Sequence, residues 1–224
     1  DEQLGRVWDA LRDMGAWDDT YIVVTADHGE QLGDHGLQQK LGWFEESHHI
    51  LGIVRDPGEP ADGSRGSVIE RFTENVDVFP TLCEALGVDV PAQCDGLPLT
   101  PFLRGETPPW WRSAAHWEFD WRFTGIPHGA HVWPWDRHLE RQHLAVLRSE
   151  RCAYVQFGDG SHLCFDLAAD PSWRTETSDA ALVLAHAQAM LTWRSEHAER
   201  TLTGMLLEKG GIGRWPPMPD GWRR

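Results

Sequence analysis

No apolar run in the 224-residue chain approaches the ~20 residues that a membrane-spanning helix requires, so no membrane partner is predicted. The chain opens Asp-Glu-Gln without a methionine or a charged-then-apolar leader, so no signal peptide is visible. Cysteine is scarce. Cys83, Cys94, Cys152 and Cys164 form no C-x-x-C pair, which excludes a zinc ribbon or dithiol redox motif and leaves buried thiols as the expectation. Basic side chains are thin in the first half: residues 1–110 hold 21 acidic against 7 basic groups, residues 111–224 hold 14 against 13. Such an acidic surface repels phosphate backbones and excludes nucleic acid as a partner. It serves either as a solvated face or as a help in holding cations. Compartment is left open, with the cytoplasm favoured. No internal repeat is present.

What remains is a soluble α/β pattern. Residues 2–14 place Leu4, Val7, Trp8, Leu11 and Met14 at helical spacing, with Gly15 just past the end. Tyr21–Thr25 is a β-branched run, predicted as a strand buried on both faces in a parallel sheet. Ile50–Val54 is a second strand, and residues 76–87 form a helix whose Val76, Phe79, Leu82, Cys83 and Leu86 share a face. Pro80 must then fall in the first turn. Residues 106–142 are rich in Trp, Pro and His without clean periodicity, and ten of the thirteen tryptophans follow residue 109. This stretch reads as a lid or an oligomer contact. The irregular spacing of its histidines, His116, His128, His131 and His138, with His143 beyond, speaks for structural roles over a metal site. His143–Arg148, Cys152–Phe157 and His162–Asp166 form an antiparallel meander. A helix over 178–200 follows, with Ser178 as N-cap and Leu182, Ala185, Ala189 and Trp193 along it. The tail around Trp215–Pro219 is neither helix nor central strand.

The chemistry sits in Thr25-Ala26-Asp27-His28-Gly29-Glu30 and its continuation to Lys40. A carboxylate and an imidazole leaving the carboxyl end of a strand can reach one cation from two sides. The pair suits Mn²⁺, Zn²⁺, Fe²⁺ or, less well, Ca²⁺. Gly29 removes a Cβ where something must come close. A capped turn without a metal is the alternative that these residues alone leave open.

Taken as a unit, Thr25, Asp27, His28, Gly29, Glu30, Gly33, Asp34, His35, Gly36 and Lys40 resemble the sulfatase family of the alkaline-phosphatase superfamily, and within it the phosphonate monoester hydrolases. Asn75–Leu82, Asp95–Leu99, Ala145–Arg148, Phe165–Leu167, Asp170-Pro171 and Arg200–Gly204 extend the likeness over nearly the whole chain. His49, Leu51 and Cys152-Ala153 depart from the pattern, where relatives often carry Arg, Pro and Tyr-Lys.

The resemblance implies an alkaline-phosphatase-like mixed sheet flanked by helices, followed by a small antiparallel sheet packed with a long C-terminal helix. The divisions are 1–105 for the α/β core with half of the metal site, 106–142 for the Trp/His/Pro-rich region, and 143–224 for the sheet-plus-helix subdomain and tail. Asp27 and His28 match two ligands of one divalent metal ion, Mn²⁺ favoured with Ca²⁺ or Zn²⁺ as alternatives. Lys40 matches the lysine that contacts the transferred sulfuryl or phosphoryl group. Glu30 is either a partner orienting His28 or a solvent-facing residue. His35 is either a hydrogen-bonding structural histidine or a proton donor.

The implied activity is hydrolysis of sulfate or phosphonate/phosphate monoesters and diesters, on a small anionic substrate, in a longer homo-oligomeric parent. Its nucleophile would be a formylglycine made from a Cys-x-Pro/Ala-x-Arg motif in an N-terminal half. None of the four cysteines stands in that motif, so the chain alone is expected to be inactive. The alternatives are a phosphodiesterase of the same superfamily with a Ser/Thr nucleophile, and a non-catalytic interaction fragment.

Overall fold

The structure is a computed structural model that describes residues 1–91, 94–120 and 143–197, together with two short strands at 207–208 and 211–212. Its elements run α1 (Glu2–Asp13), β1 (Ile22–Thr25), β2 (Gln31–Leu32), β3 (Gln38–Gln39), α2 (Glu45–His48), β4 (Gly52–Arg55), α3 (Val78–Ala85) and α4 (Thr100–Leu103). They continue with β5 (Ala114–Asp120), β6 (His143–Ser149), β7 (Cys152–Phe157), β8 (His162–Asp166), α5 (Ala180–His197), β9 (Leu207–Glu208) and β10 (Gly211–Ile212). Among the described residues no helix is long and apolar enough to cross a membrane. Two compact units emerge, Asp1–Asp27 with Ile50–Trp111, and His28–His49 with the described residues that follow Trp111.

In the first unit, α1 ends as its sequence requires, with Gly15 at φ +67. Trp17 beyond it lies beneath the guanidinium groups of Arg12 and Arg55, each 4.4 Å from the ring centroid. Among the described residues β1 has no parallel partner. It pairs antiparallel with β4, Ile22 opposite Arg55 and Thr25 opposite Gly52, and none of its residues is fully buried. A β-branched run specifies a strand, but it carries no information about the direction of its neighbour.

α3 is preceded by a 3₁₀ turn at Asn75–Asp77, so Pro80 does fall in the first helical turn. The face this helix buries is not the apolar one. Asp77, Pro80, Thr81 and Cys83 are buried, whereas Val76, Phe79 and Leu86 are 50%, 56% and 75% exposed. Asp77 explains the inversion. Its carboxylate accepts the backbone N–H of Glu74 and of Leu97, both at 2.8 Å. Thr81 extends the clamp by accepting the Leu99 N–H at 2.8 Å. Between them Gly96 lies so near the Val76 carbonyl that a Cβ would meet its oxygen at 1.9 Å. A buried carboxylate with its lone pairs satisfied by backbone donors outweighs the helix's hydrophobic preference.

The second unit is built on the sheet β5-β6-β7-β8, antiparallel throughout. The meander falls within one residue of its predicted limits, and β5 is a fourth strand that the Trp-rich composition concealed. Alternation sorts its side chains. Leu144, Val146, Ala153, Val155 and Phe165 face one layer with Phe44, Leu167 and Trp173. Ala145, Leu147, Cys152, Tyr154 and Cys164 face the other, where Leu182 and Met190 of α5 cover them. The N-cap of α5 is Asp179 and not Ser178: its carboxylate accepts the N–H groups of Ala181 (2.9 Å) and Leu182 (3.3 Å). Ala185 and Ala189 are exposed, and the face against the sheet runs Leu182, Val183, Ala187, Met190 and Trp193. Cys152 and Cys164 bring their Sγ atoms to 3.4 Å across β7 and β8, and burial pushes both thiols up from their ordinary range. Most of the Trp/His/Pro-rich stretch, including His128, His131 and His138, lies outside the described residues, as do Arg200–Gly204 and the tail. His116 stacks on Trp193 with centroids 4.4 Å apart.

Two consequences are testable. Phe44→Ala, which empties a buried position on the sheet, is expected to cost about 3–5 kcal/mol in a denaturant titration. Asp170 forms the turn after β8, where the Ser172 hydroxyl and the N–H groups of Ser172, Arg174 and Thr175 hold its carboxyl well below the ordinary 3.8. A depressed carboxyl stabilises the fold fully above that value and loses its contribution as pH falls through the folded value. Asp170→Ala is therefore expected to lower the melting midpoint at pH 7 and to lessen its further fall below pH 4.

Candidate functional site

β1 delivers Asp27 two residues past its end, and the strand terminus is held by a single asparagine. Thr25 Oγ1 donates to Asn75 Oδ1 at 2.9 Å, and Asn75 Nδ2 donates to the Ala26 carbonyl at 2.7 Å. This bracket fixes the backbone immediately before Asp27, whose side chain is exposed. Asn75 escaped the sequence reading because its role depends on a backbone carbonyl 49 residues away.

His28 is half-buried, and its ring is oriented by the backbone. Nδ1 lies 2.7 Å from the Gly29 carbonyl. A carbonyl can only accept, so Nδ1 carries a proton in this hydrogen bond. Glu30 is exposed, and the Gly29 carbonyl is one hydrogen-bond partner of the His28 ring. Gly29 is needed for the close approach that its position suggested, and the approaching group is the protein's own backbone. A Cβ there would meet the Glu46 carbonyl oxygen at 2.2 Å, while its N–H donates to Ser47 O at 2.8 Å.

From Gly29 the chain enters the β2–β3 hairpin, with Gln31 opposite Gln39 and Leu32 opposite Gln38. Gly33 and Gly36 take positive φ at its tip, and so does His35 (φ 51), a conformation costly for a side chain with a Cβ. His35 is held there by stacking on Phe44, centroids 3.6 Å apart and 4° from parallel, with Nε2 3.6 Å from a Glu46 carboxylate oxygen. That arrangement favours the structural alternative for His35.

Lys40 follows β3 directly, so the hairpin register runs it alongside the residue preceding β2. It is exposed, and it makes no hydrogen bond or ion pair among the described residues. The chain has one other lysine, Lys209.

Behind the hairpin, α2 anchors the segment to the sheet. Phe44 enters the apolar layer, Arg148 of β6 bonds Glu45 at 2.6 Å, and His48 stacks on Trp117 of β5 at 4.9 Å. Burial holds His48 below the ordinary imidazole range; the Gly42 carbonyl opposes this and the nearby His28 reinforces it.

No group of three or more His, Cys, Asp or Glu side chains placed to hold a metal occurs among the described residues. The donor set fits a cation in kind but not in number: one carboxylate and one imidazole are half of the roughly four ligands of a closed site.

Comparison with known proteins resolves the ancestry. Residues 1–88 match the family model Sulfatase. The multifunctional alkaline phosphatase superfamily protein PehA of Trinickia caryophylli is 42% identical over 209 residues, covering 91% of this chain and 40% of that protein. The crystal structure of the phosphonate monoester hydrolase of Agrobacterium radiobacter superposes with a TM-score of 0.82 at 43% identity, over 96% of this chain and 43% of that one. The chain belongs to the sulfatase family. Its fold is the alkaline-phosphatase-like α/β fold of that family, whose members include hydrolases of sulfate and phosphonate esters. An N-acetylglucosamine-6-O-sulfatase of Bacteroides thetaiotaomicron is 39% identical over 121 residues, 53% of this chain and 21% of that protein. The chain thus spans about two fifths of the length of its first two relatives.

Gly29→Ala forces a methyl into a backbone oxygen and cannot be relieved by a rotamer change. It is expected to leave the protein with a lowered melting midpoint. A wild-type midpoint would show that the 46–47 backbone can retreat.

Proposed function

We propose that this chain is the C-terminal portion of a metal-dependent hydrolase of sulfate or phosphonate/phosphate monoesters and diesters. Asp27 and His28 would be two ligands of one divalent ion, and Lys40 would be the cationic contact to the transferred group. The observation that carries the reading is the Nδ1–Gly29 carbonyl hydrogen bond, which fixes the orientation of an imidazole ring through Nδ1 at the residue following a carboxylate. This is how metal-ligating histidines are ordinarily prepared. An imidazole beside a carboxylate favours Mn²⁺, with Ca²⁺ or Zn²⁺ as alternatives.

When bound, the cation would supply Lewis-acid stabilisation to a nucleophile and to a nonbridging oxygen. Lys40 brings an ammonium uncommitted to any carboxylate among the described residues, in a half of the chain whose balance is strongly acidic. Its charge is thereby available to an anionic ester, and it gains strength as oxygen charge develops in a site that excludes water. The nucleophile, a formylglycine by family resemblance, would come from a segment outside this chain. The exposed Val76, Phe79 and Leu86 support that view, since an apolar stripe of this kind ordinarily lies beneath another part of a protein.

Three measurements bear on this. On the protein as its gene encodes it, Lys40→Ala is expected to retain metal and to lose roughly 10²–10³ in kcat on aryl sulfate or phosphonate esters. Asp27→Asn and His28→Ala are expected to lose the metal itself. The 224-residue chain alone is expected to give no turnover with any added divalent ion. Normal kcat in the Lys40 variant, or full metal content in both ligand variants, would overturn the assignment.

A further inference from the structure

The segment between His28 and His49 contains a serine that holds two stretches of backbone at once. Ser47 is the third residue of α2 and is 0% exposed. Its carbonyl, at a helix end where no intrahelical donor remains, accepts the Gly29 N–H at 2.8 Å. Its hydroxyl donates to the Leu41 carbonyl at 3.3 Å. Gly29 is the residue after His28, and Leu41 the residue after Lys40. One side chain and its own peptide group therefore tie together the positions that follow the proposed ligand and the proposed cationic contact.

A second buried group converges on the same spot. Gln31, 0% exposed, aims Nε2 at the Leu41 carbonyl over a long 3.5 Å, and its Oε1 has no hydrogen-bond partner among the described residues. Its backbone is fixed by pairing with Gln39, so the approach is set by β2–β3 register. Burying an amide with one end unsatisfied costs on the order of 1–3 kcal/mol. A group that served packing alone would be replaced by an apolar one without loss. Gln31 and Ser47 are the two fully buried polar side chains of this segment, and both point at one carbonyl.

We propose that Ser47, assisted by Gln31, is a positioning residue that sets the spacing between the His28 imidazole and the Lys40 ammonium. This rests on the functional reading of those two residues given above. Without the hydroxyl, the 40–41 backbone is left with the long 3.5 Å contact from Gln31, while α2 stays on the sheet through Phe44 and Arg148. The ammonium would then sample a wider range of positions. Misplacement by about 1 Å is enough to cost on the order of 10²-fold when a group must meet a transition state.

The test is a double-mutant cycle of Ser47→Ala with Lys40→Ala in the protein as its gene encodes it, following kcat, KM and metal content on an aryl phosphonate ester. Ser47→Ala is expected to lower kcat about 10- to 100-fold with metal retained and KM changed less. In the Lys40→Ala background the same substitution is expected to change kcat less than about threefold, because the group it positions is gone. An equal loss in both backgrounds would mean that Ser47 acts on the fold at large and would overturn the inference. Gln31→Met, which removes the second donor at similar volume, is run through the same cycle should Ser47→Ala fail to fold. A silent Lys40→Ala would sink the functional reading instead, so the two failures are distinct.

Discussion

The arrangement depends on the seating of a short helix on a sheet contributed by sequence more than a hundred residues away. α2 has only four residues and no intrinsic stability, since a helix of that length is far below what nucleation allows. It persists because Phe44 lies in the apolar layer of β6–β8 and because Arg148 meets Glu45 in a half-buried ion pair. A single charge pair at this exposure contributes little by itself. Coupled to a buried aromatic ring it fixes the rotation of the helix as well as its depth. From that rotation follow the carbonyl of Ser47 toward Gly29, the carboxylate of Glu46 toward His35, and the stacking of His48 on Trp117.

Much of this was legible in the residues, and the failures have identifiable causes. The meander could be read nearly to the residue because Glu150-Arg151 and Gly158–Gly160 interrupt β-rich runs whose two sides are both apolar. β5 could not, because Ala114–Asp120 lies in a composition dominated by Trp and Pro and its strand character comes from pairing with β6. The antiparallel partnership of β1 with β4 was hidden for a similar reason. The helix at α3 was visible, but its orientation was not: periodicity finds the apolar stripe and cannot see that Asp77 and Thr81 bind a loop twenty residues on. At the site, Asp27, His28 and Lys40 stood out by type and order. Asn75, Ser47 and Gln31 did not, since each acts through backbone groups that carry no residue-specific signal.

The glycines show how sequence and structure divide the labour. Gly29 and Gly96 have in common that no backbone strain requires them; each is demanded by a carbonyl oxygen lying where a Cβ would be. Gly33 and Gly36 at the hairpin tip answer a different demand, the sign of φ, and His35 between them meets it without being glycine. The stacking of that ring on Phe44 and its approach to the Glu46 carboxylate offset a conformational cost of roughly 1–3 kcal/mol.

The order in which the second unit can assemble follows from its discontinuity. Glu45 precedes its partner Arg148 by 103 residues. At ~5–20 residues per second, a ribosome takes about 5–20 s to cover that interval, a long time on the scale of local folding. Through it the hairpin and α2 have been made and have no floor to rest on. The segment carrying His28 and Lys40 must wait for the sheet before its shape exists, so a nascent chain acquires that shape late, as one cooperative event with β6.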